Sequence, residues 1–186
     1  MHLKDISIVQ FKNYKQADLV FDSEFNCFYG DNGSGKTNIL DAVHYLSLCK
    51  SFLNQIDSHN VMWDNHFFVV QGAFEKEDEE QSIYCGVKKG QKKIFRRNGN
   101  EYERLADHIG LFPSVMISPY DRNLISEGSE IRRKFIDSII SQLNKPYLDT
   151  LLKYNKVLAQ RNALLKNAQK NGFFDLESIE VWNAQL

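Results

Sequence analysis

At 186 residues the chain is long enough for one well-packed core, or for one domain and part of a second. Hydrophobic residues at 42% and charged residues at 25% are a globular balance, which excludes a disordered or fibrous chain, and no apolar run is long enough to span a bilayer. A net charge of −1 removes any case for nucleic acid from overall charge, so that case must rest on local clusters.

The first residues, Met1-His2-Leu3-Lys4-Asp5, lack the charged-then-apolar layout of a secretory signal, and the expectation is a cytoplasmic protein. Residues 3–11 carry Leu3, Ile6, Ile8, Val9 and Phe11 in near alternation and predict a strand. Residues 19–21 and 25–29 predict two more, the second running into a glycine loop. A helix is predicted over residues 36–49, with Ile39, Leu40, Val43 and Leu46 on one face. Residues 51–65 are irregular. Strands follow at 67–74, 82–87 and 92–97, with a charged turn at 75–80, and Asn98-Gly99 is a strong hairpin signal.

Residues 104–109 predict a short helix, and Val115-Met116-Ile117 a short strand stopped by Pro119. From Ser129 the pattern changes. Ile131, Phe135, Ile139 and Leu143 recur every four residues, as on an amphipathic helix. A longer helix is predicted over 146–169, with Pro146 in its first turn, a heptad stripe of Leu151, Leu158 and Leu165, and Asn171-Gly172 at its end. A last helix begins near Asp175 and is still in pattern at Leu186, so the chain is expected to be a fragment of a longer protein.

Cys27, Cys49 and Cys85 are odd in number and have no Cys-x-x-Cys spacing, which argues against a disulfide framework and a zinc site. Cys27 and Cys85 lie in strand-like stretches and are expected to be buried thiols. The five histidines, His2, His44, His59, His66 and His108, show no ligand spacing.

The stretch Gly30-Asp31-Asn32-Gly33-Ser34-Gly35-Lys36-Thr37 satisfies G-x-x-x-x-G-K-[ST]. Glycines let successive backbone N–H groups converge on phosphate oxygens, and the helix that follows adds the positive end of its dipole. Lys36 is expected to reach the β- and γ-phosphates of a nucleotide, and the Thr37 hydroxyl to ligate Mg²⁺. Context supports the motif, since an apolar stretch enters the loop and an amphipathic helix leaves it. The carboxylates that complete such a site usually end an apolar strand. The nearest candidate here is residues 115–121, where Asp121 comes late and follows a proline. No catalytic residue is identified.

Further segments carry a family resemblance. Ile8-Val9-Gln10-Phe11-Lys12-Asn13-Tyr14 resembles the l-x-n-F-R-N-Y opening of the RecF family of bacterial recombination-mediator ATPases. The loop, continued through Asn38-Ile39-Leu40-Asp41-Ala42, resembles G-x-N-G-x-G-K-T-N-l-L-E-A. Ser118-Pro119-Tyr120-Asp121 and the run from Gly128 through Arg132-Arg133-Lys134-Phe135 to Asp137 are similar to two later motifs of that family. So are Gln160-Arg161-Asn162-Ala163-Leu164-Leu165-Lys166 and Trp182-Asn183-Ala184-Gln185-Leu186. Together they cover the chain in family order.

The resemblance implies an α/β P-loop NTPase of the ABC/SMC head type. Residues 1–128 would form the ATPase lobe with its β-hairpin subdomain, and residues 129–186 the start of a helical lobe. It implies ATP and Mg²⁺ held by residues 30–37 with Asn38 and Lys12, and a homodimer that sandwiches ATP. It also implies binding to single-stranded, gapped or junction DNA, with RecO and RecR as partners in loading RecA, and roles in DNA replication, recombinational repair and the SOS response. Hydrolysis would be slow and DNA-stimulated in the full-length protein. Without Walker B acids and a signature motif, these 186 residues are expected to bind ATP with little hydrolysis. Lys12 stands where the family has arginine, which keeps the charge and loses the planar fork. Tyr120 stands where it has glutamate.

Lys88, Lys89, Lys92, Lys93, Arg96 and Arg97 form a dense basic cluster. It reads either as a phosphate-contacting surface for DNA or as a solvated hairpin neutralised by Glu75, Glu77, Asp78, Glu79 and Glu80. Arg132, Arg133 and Lys134 either couple nucleotide to the second lobe or pair with Glu130 and Asp137. Two other readings of the chain stay open: another SMC-like head ATPase, and a small-molecule P-loop kinase, although no arginine-bearing lid follows the loop.

Overall fold

The computed structural model describes residues 1–172 and 176–185, and the chain divides into two compact units, Met1–Arg122 and Asn123–Leu186. In the first unit, strands β1 (His2–Phe11), β2 (Tyr14–Val20), β3 (Phe67–Lys76), β4 (Glu79–Lys88), β5 (Ile94–Arg97) and β6 (Asn100–Glu101) form one antiparallel sheet in the order β2-β1-β3-β4-β5-β6. Period-two alternation decides which face is dry. Ile6 and Ile8 of β1, Phe68, Val70 and Phe74 of β3, Ile83, Cys85 and Val87 of β4 and Phe95 of β5 are all buried.

Helix α1 (Lys36–Leu48) covers that face with Ala42, Tyr45 and Leu46. Phe11, Tyr45 and Phe68 meet edge to face, with centroids 5.0 to 6.2 Å apart, as ring quadrupoles favour. The buried face of α1 also takes in Asp41, His44 and Ser47, whereas Leu40, expected on it, is exposed. The stripe is wider than the apolar residues alone mark, because buried polar groups share it.

Asn98 and Gly99, both at positive φ, turn β5 into β6 as the dipeptide predicts. Glu77 and Asp78, also at positive φ, turn β3 into β4, so the charged stretch 75–80 is mostly ladder. Two predicted strands do not form. Residues 25–29 and 115–117 make no ladder, and Phe25, Tyr29, Val115 and Ile117 are exposed. Cys27 is exposed with them, contrary to expectation, while Cys49 and Cys85 are buried free thiols. A short apolar run carries strand propensity, but a strand needs a neighbour to receive its N–H and C=O groups, and no described strand lies beside these.

The second unit holds α2 (Asn123–Ser126), α3 (Ser129–Leu143), α4 (Lys145–Asn171) and α5 (Leu176–Asn183). Arg132 of α3 donates to the carbonyls of Leu124 and Glu127, which ties α2 to this unit and sets the division at 122/123 instead of 128/129. Asn144 caps α4 by accepting from the Tyr147 N–H at 2.9 Å, and Gly172, at φ 67°, ends it. Leu148 and Val157 are its buried residues, while Leu151, Leu158 and Leu165 of the heptad stripe are half-buried. Arg161 reaches Asn183 Oδ1 at 2.6 Å, joining α4 to α5. The predicted start at Asp175 and the last residue, Leu186, lie outside the described residues. Among the described residues, no helix is long and apolar enough to cross a membrane.

Candidate functional site

Three glycines bend the loop that precedes α1. Gly30, Gly33 and Gly35 have φ of 141°, 84° and 104°, conformations that L side chains rarely adopt. Gly35 is also held by contact, since a Cβ there would lie 2.5 Å from Asn13 Nδ2. It is the N-cap of α1, with no side-chain cap and no acidic residue in the first turn. The opening N–H groups of α1 therefore keep the partial positive charge of an uncapped helix end. Lys36 folds back so that its Nζ donates to the carbonyls of Gly30 at 2.7 Å and Asp31 at 2.8 Å, with Ser34 Oγ at 3.5 Å.

An ammonium, an uncapped helix start and a glycine-shaped loop thus face one space. Asp31, Asn32, Gly33, Ser34 and Thr37 around it are exposed. Those groups fit a polyphosphate, because the Lys36 ammonium lies beside the uncapped helix start and the first turn carries no side-chain carboxylate to oppose it.

The turn between β1 and β2 braces this loop. Asn13 donates from Nδ2 to the Ser34 carbonyl at 3.2 Å and accepts from Asn38 Nδ2 at 2.7 Å. Its neighbour Lys12 points elsewhere. The Lys12 ammonium pairs with Asp41, which is fully buried and also accepts from Ser51 Oγ at 2.6 Å and the Phe52 N–H at 2.6 Å. Lys12, expected at the nucleotide, is placed here as the counterion of a carboxylate inside α1. A buried carboxylate is retained only with such partners.

The basic cluster divides. Lys88, Lys89 and Lys92 are exposed around the β4–β5 turn. Lys93 is turned inward, a correction to its expected place on a DNA surface. It pairs with Asp57 at 2.9 Å, donates to the Cys49 carbonyl at 2.6 Å and to the Tyr45 hydroxyl at 3.1 Å, and lies over the Tyr45 ring. Arg96 stands over the Tyr84 ring, 3.9 Å from the Glu101 carboxylate, and Arg97 hydrogen-bonds the Tyr102 side chain.

The acids expected to neutralise this cluster lie at the other end of the hairpin from Lys88, Lys89 and Lys92, and nearer to Arg97, which pairs with Ile83. The ladder pairs Phe67 with Lys88 at one end and Lys76 with Glu79 at the other. At about 3.3 Å per residue, roughly 30 Å separates the two, nearly four Debye lengths at physiological salt. Glu80 is engaged there by Lys4 at 2.6 Å.

Residues 2–130 match the RecF/RecN/SMC N terminal domain family. The chain belongs to that family. It is 54% identical, over its whole length, to the DNA replication and repair protein RecF of Phocaeicola vulgatus, and covers 50% of that protein. A solved structure of the recombination mediator protein RecF-ATPrS in RecFOR pathway superposes with a TM-score of 0.90 at 35% identity, over 100% of this chain and 50% of that one. A structure concerned with ATP-driven dimerisation and DNA-stimulated activation of SMC ATPases aligns with a TM-score of 0.61 at 21% identity, over 75% of this chain and 99% of that one, and shows the shared fold. The chain spans about half the length of the curated relatives it matches. Its fold is the α/β P-loop NTPase fold of the ABC/SMC type.

Within this RecF-type half, sequence reasoning passed over Asn13, Asp41 and Ser51. Asn13 sits inside the quoted Phe11-Lys12-Asn13-Tyr14 motif, where a short amide beside a glycine loop signals a brace. Asp41 is an acid within the buried part of an amphipathic helix, a position that demands a cation. Ser51 carries no signal of its own. On α3, Arg133 meets Ser129 Oγ at 2.8 Å and Lys134 meets Glu130 at 2.6 Å, the local pairing of the two alternatives.

Proposed function

We propose that this chain is the nucleotide-gripping half of an ATP-dependent DNA-binding protein of recombinational repair. The observation that carries the reading is the uncapped start of α1 with Lys36 drawn into the mouth of the glycine loop. The backbone N–H groups of residues 33–37 would hold the ATP phosphates, and Lys36 would exchange its two carbonyl partners for phosphate oxygens. Thr37 Oγ1 would ligate Mg²⁺, which shields charge on the phosphates. Asn13 and Asn38 fix the loop from behind, so little reorganisation is needed on binding.

In the full-length protein, ATP would hold two heads together and hydrolysis release them, because a ligand that binds only the dimer shifts the equilibrium by its own binding free energy. DNA at single-strand, gapped or junction sites would stimulate slow turnover, with RecO and RecR as partners in loading RecA, in DNA replication and in the SOS response. The relatives' names, and the ATP-analogue complex within the RecFOR pathway, support this reading.

Calorimetry tests it. Lys36→Ala is expected to abolish ATP binding while leaving the thermal midpoint of the free protein within a few degrees, because the hydrogen bonds of its ammonium go to groups of the loop itself. Wild-type affinity in Lys36→Ala would remove the assignment.

A further inference from the structure

The solvent-facing side of the sheet, opposite α1, carries alternating aromatic and basic groups at the β4–β5 end. Phe67 stands directly across from Lys88, and Tyr84 across from Arg96. The Tyr84 ring lies back along its own strand. A Cβ on Gly86 would meet its hydroxyl at 2.8 Å, so only glycine leaves room for the ring to lie flat. Arg96 stacks above that ring at 5.7 Å.

Trp63 lies in the loop that leads into β3 at this end of the sheet. It is 85% exposed, at the tip of a turn that the backbone fastens on both sides. The Met62 N–H donates to the Gln10 carbonyl at 2.7 Å, Asn65 N–H to the Met62 carbonyl at 3.1 Å, and Asn65 Nδ2 to the Trp63 carbonyl at 3.0 Å. Three residues on, the His66 carbonyl accepts from the Lys89 N–H at 2.9 Å. Trp63 is therefore within about 10 Å of chain of the lysine turn. An ordered turn that holds an indole in water, next to Asp64 but close in the chain to the lysine turn and remote from the acids of residues 75–80, has the chemistry of a stacking platform.

We propose that Trp63, with Phe67, stacks the bases of single-stranded DNA while Lys88, Lys89 and Arg96, the last carried on the Tyr84 ring, hold its phosphates. This rests on the DNA-binding reading above and assigns it a surface. Charge complementarity selects a polyanion, and the flat aromatic faces select one whose bases are unpaired, because a duplex keeps its bases stacked on each other.

The test is titration with an oligothymidylate of roughly 15 nucleotides, read by Trp63 fluorescence in a Trp182→Phe background and by anisotropy of labelled DNA. Binding should quench Trp63. Trp63→Ala should weaken single-strand affinity about tenfold without changing the slope of log K against log salt, and Trp63→Phe should recover most of the loss. Lys88→Ala should instead lower that slope by about one. Affinity for a duplex of the same length should be unmoved by Trp63→Ala.

Unchanged oligothymidylate binding by Trp63→Ala, with wild type binding normally, overturns this inference alone. So does an equal loss for duplex, or quenching by heparin or phosphatidylserine vesicles as strong as by DNA. A wild-type chain that binds neither single strand nor duplex overturns the DNA-binding reading along with it.

Discussion

Lys93 lies at the threshold of β5, where successive side chains begin to alternate between faces, and this sends its ammonium under α1 while Lys92 stays in water. Three partners hold it: the Asp57 carboxylate, the Cys49 carbonyl and the Tyr45 hydroxyl. Charged hydrogen bonds at a mostly buried site are each worth more than neutral ones, and their loss strands the acceptors. Lys93→Ala should therefore cost about 2 kcal/mol in urea denaturation. Lys92→Ala should stay within about 0.5 kcal/mol, as at most surface positions. Equal midpoints for the two variants would contradict the inward placement. In DNA titrations the roles reverse, since only Lys92 is free to meet a phosphate.

At the scale of elements, α4 shows how a helix is delimited. Its interior buries only Leu148 and Val157 beside a half-buried leucine stripe, so its ends matter: Asn144 accepts from the Tyr147 N–H, and left-handed Gly172 closes the other end. Asn144→Ala should cost about 1 kcal/mol in urea denaturation, and Asn144→Asp, which keeps the acceptor, should cost much less. Features of this local kind could be read from residues alone. The Asn98-Gly99 turn, α1 after the glycine loop, and the α3 and α4 periodicities all depend on near neighbours in sequence.

What escaped depends on distant ones. Residues 25–29 and 115–117 have strand composition but no described partner strand, and pairing partners are not written into a five-residue window. The phosphate loop was recognisable because its geometry needs glycines at fixed spacing. The Lys12–Asp41 pair was not, because it joins residues 29 positions apart.

On the scale of the whole molecule, acid should weaken the core of the first unit through His108. Its ring is fully buried, bonded to the Leu46 carbonyl at 2.7 Å and the Tyr102 hydroxyl at 3.0 Å, and packed against Phe95 and Phe112. It thereby joins the 102–112 segment to α1. Burial drives its pKa from 6.5 down to about 4, against the small opposing pull of the Leu46 carbonyl. Between those values the unfolded chain takes up a proton that the native state refuses, so stability falls as pH drops through the window. The contribution is fully present above pH 6.5 and flattens below pH 4, and over the window it amounts to about 3 kcal/mol. His44, buried against Phe52, is shifted the same way by burial and adds to the trend. Urea midpoints measured from pH 7.5 to 4.5 should show this slope. In His108→Gln, which is less stable at neutral pH, the slope should be shallower by the His108 share. Parallel profiles for the two proteins would mean that His108 accepts its proton in the folded state.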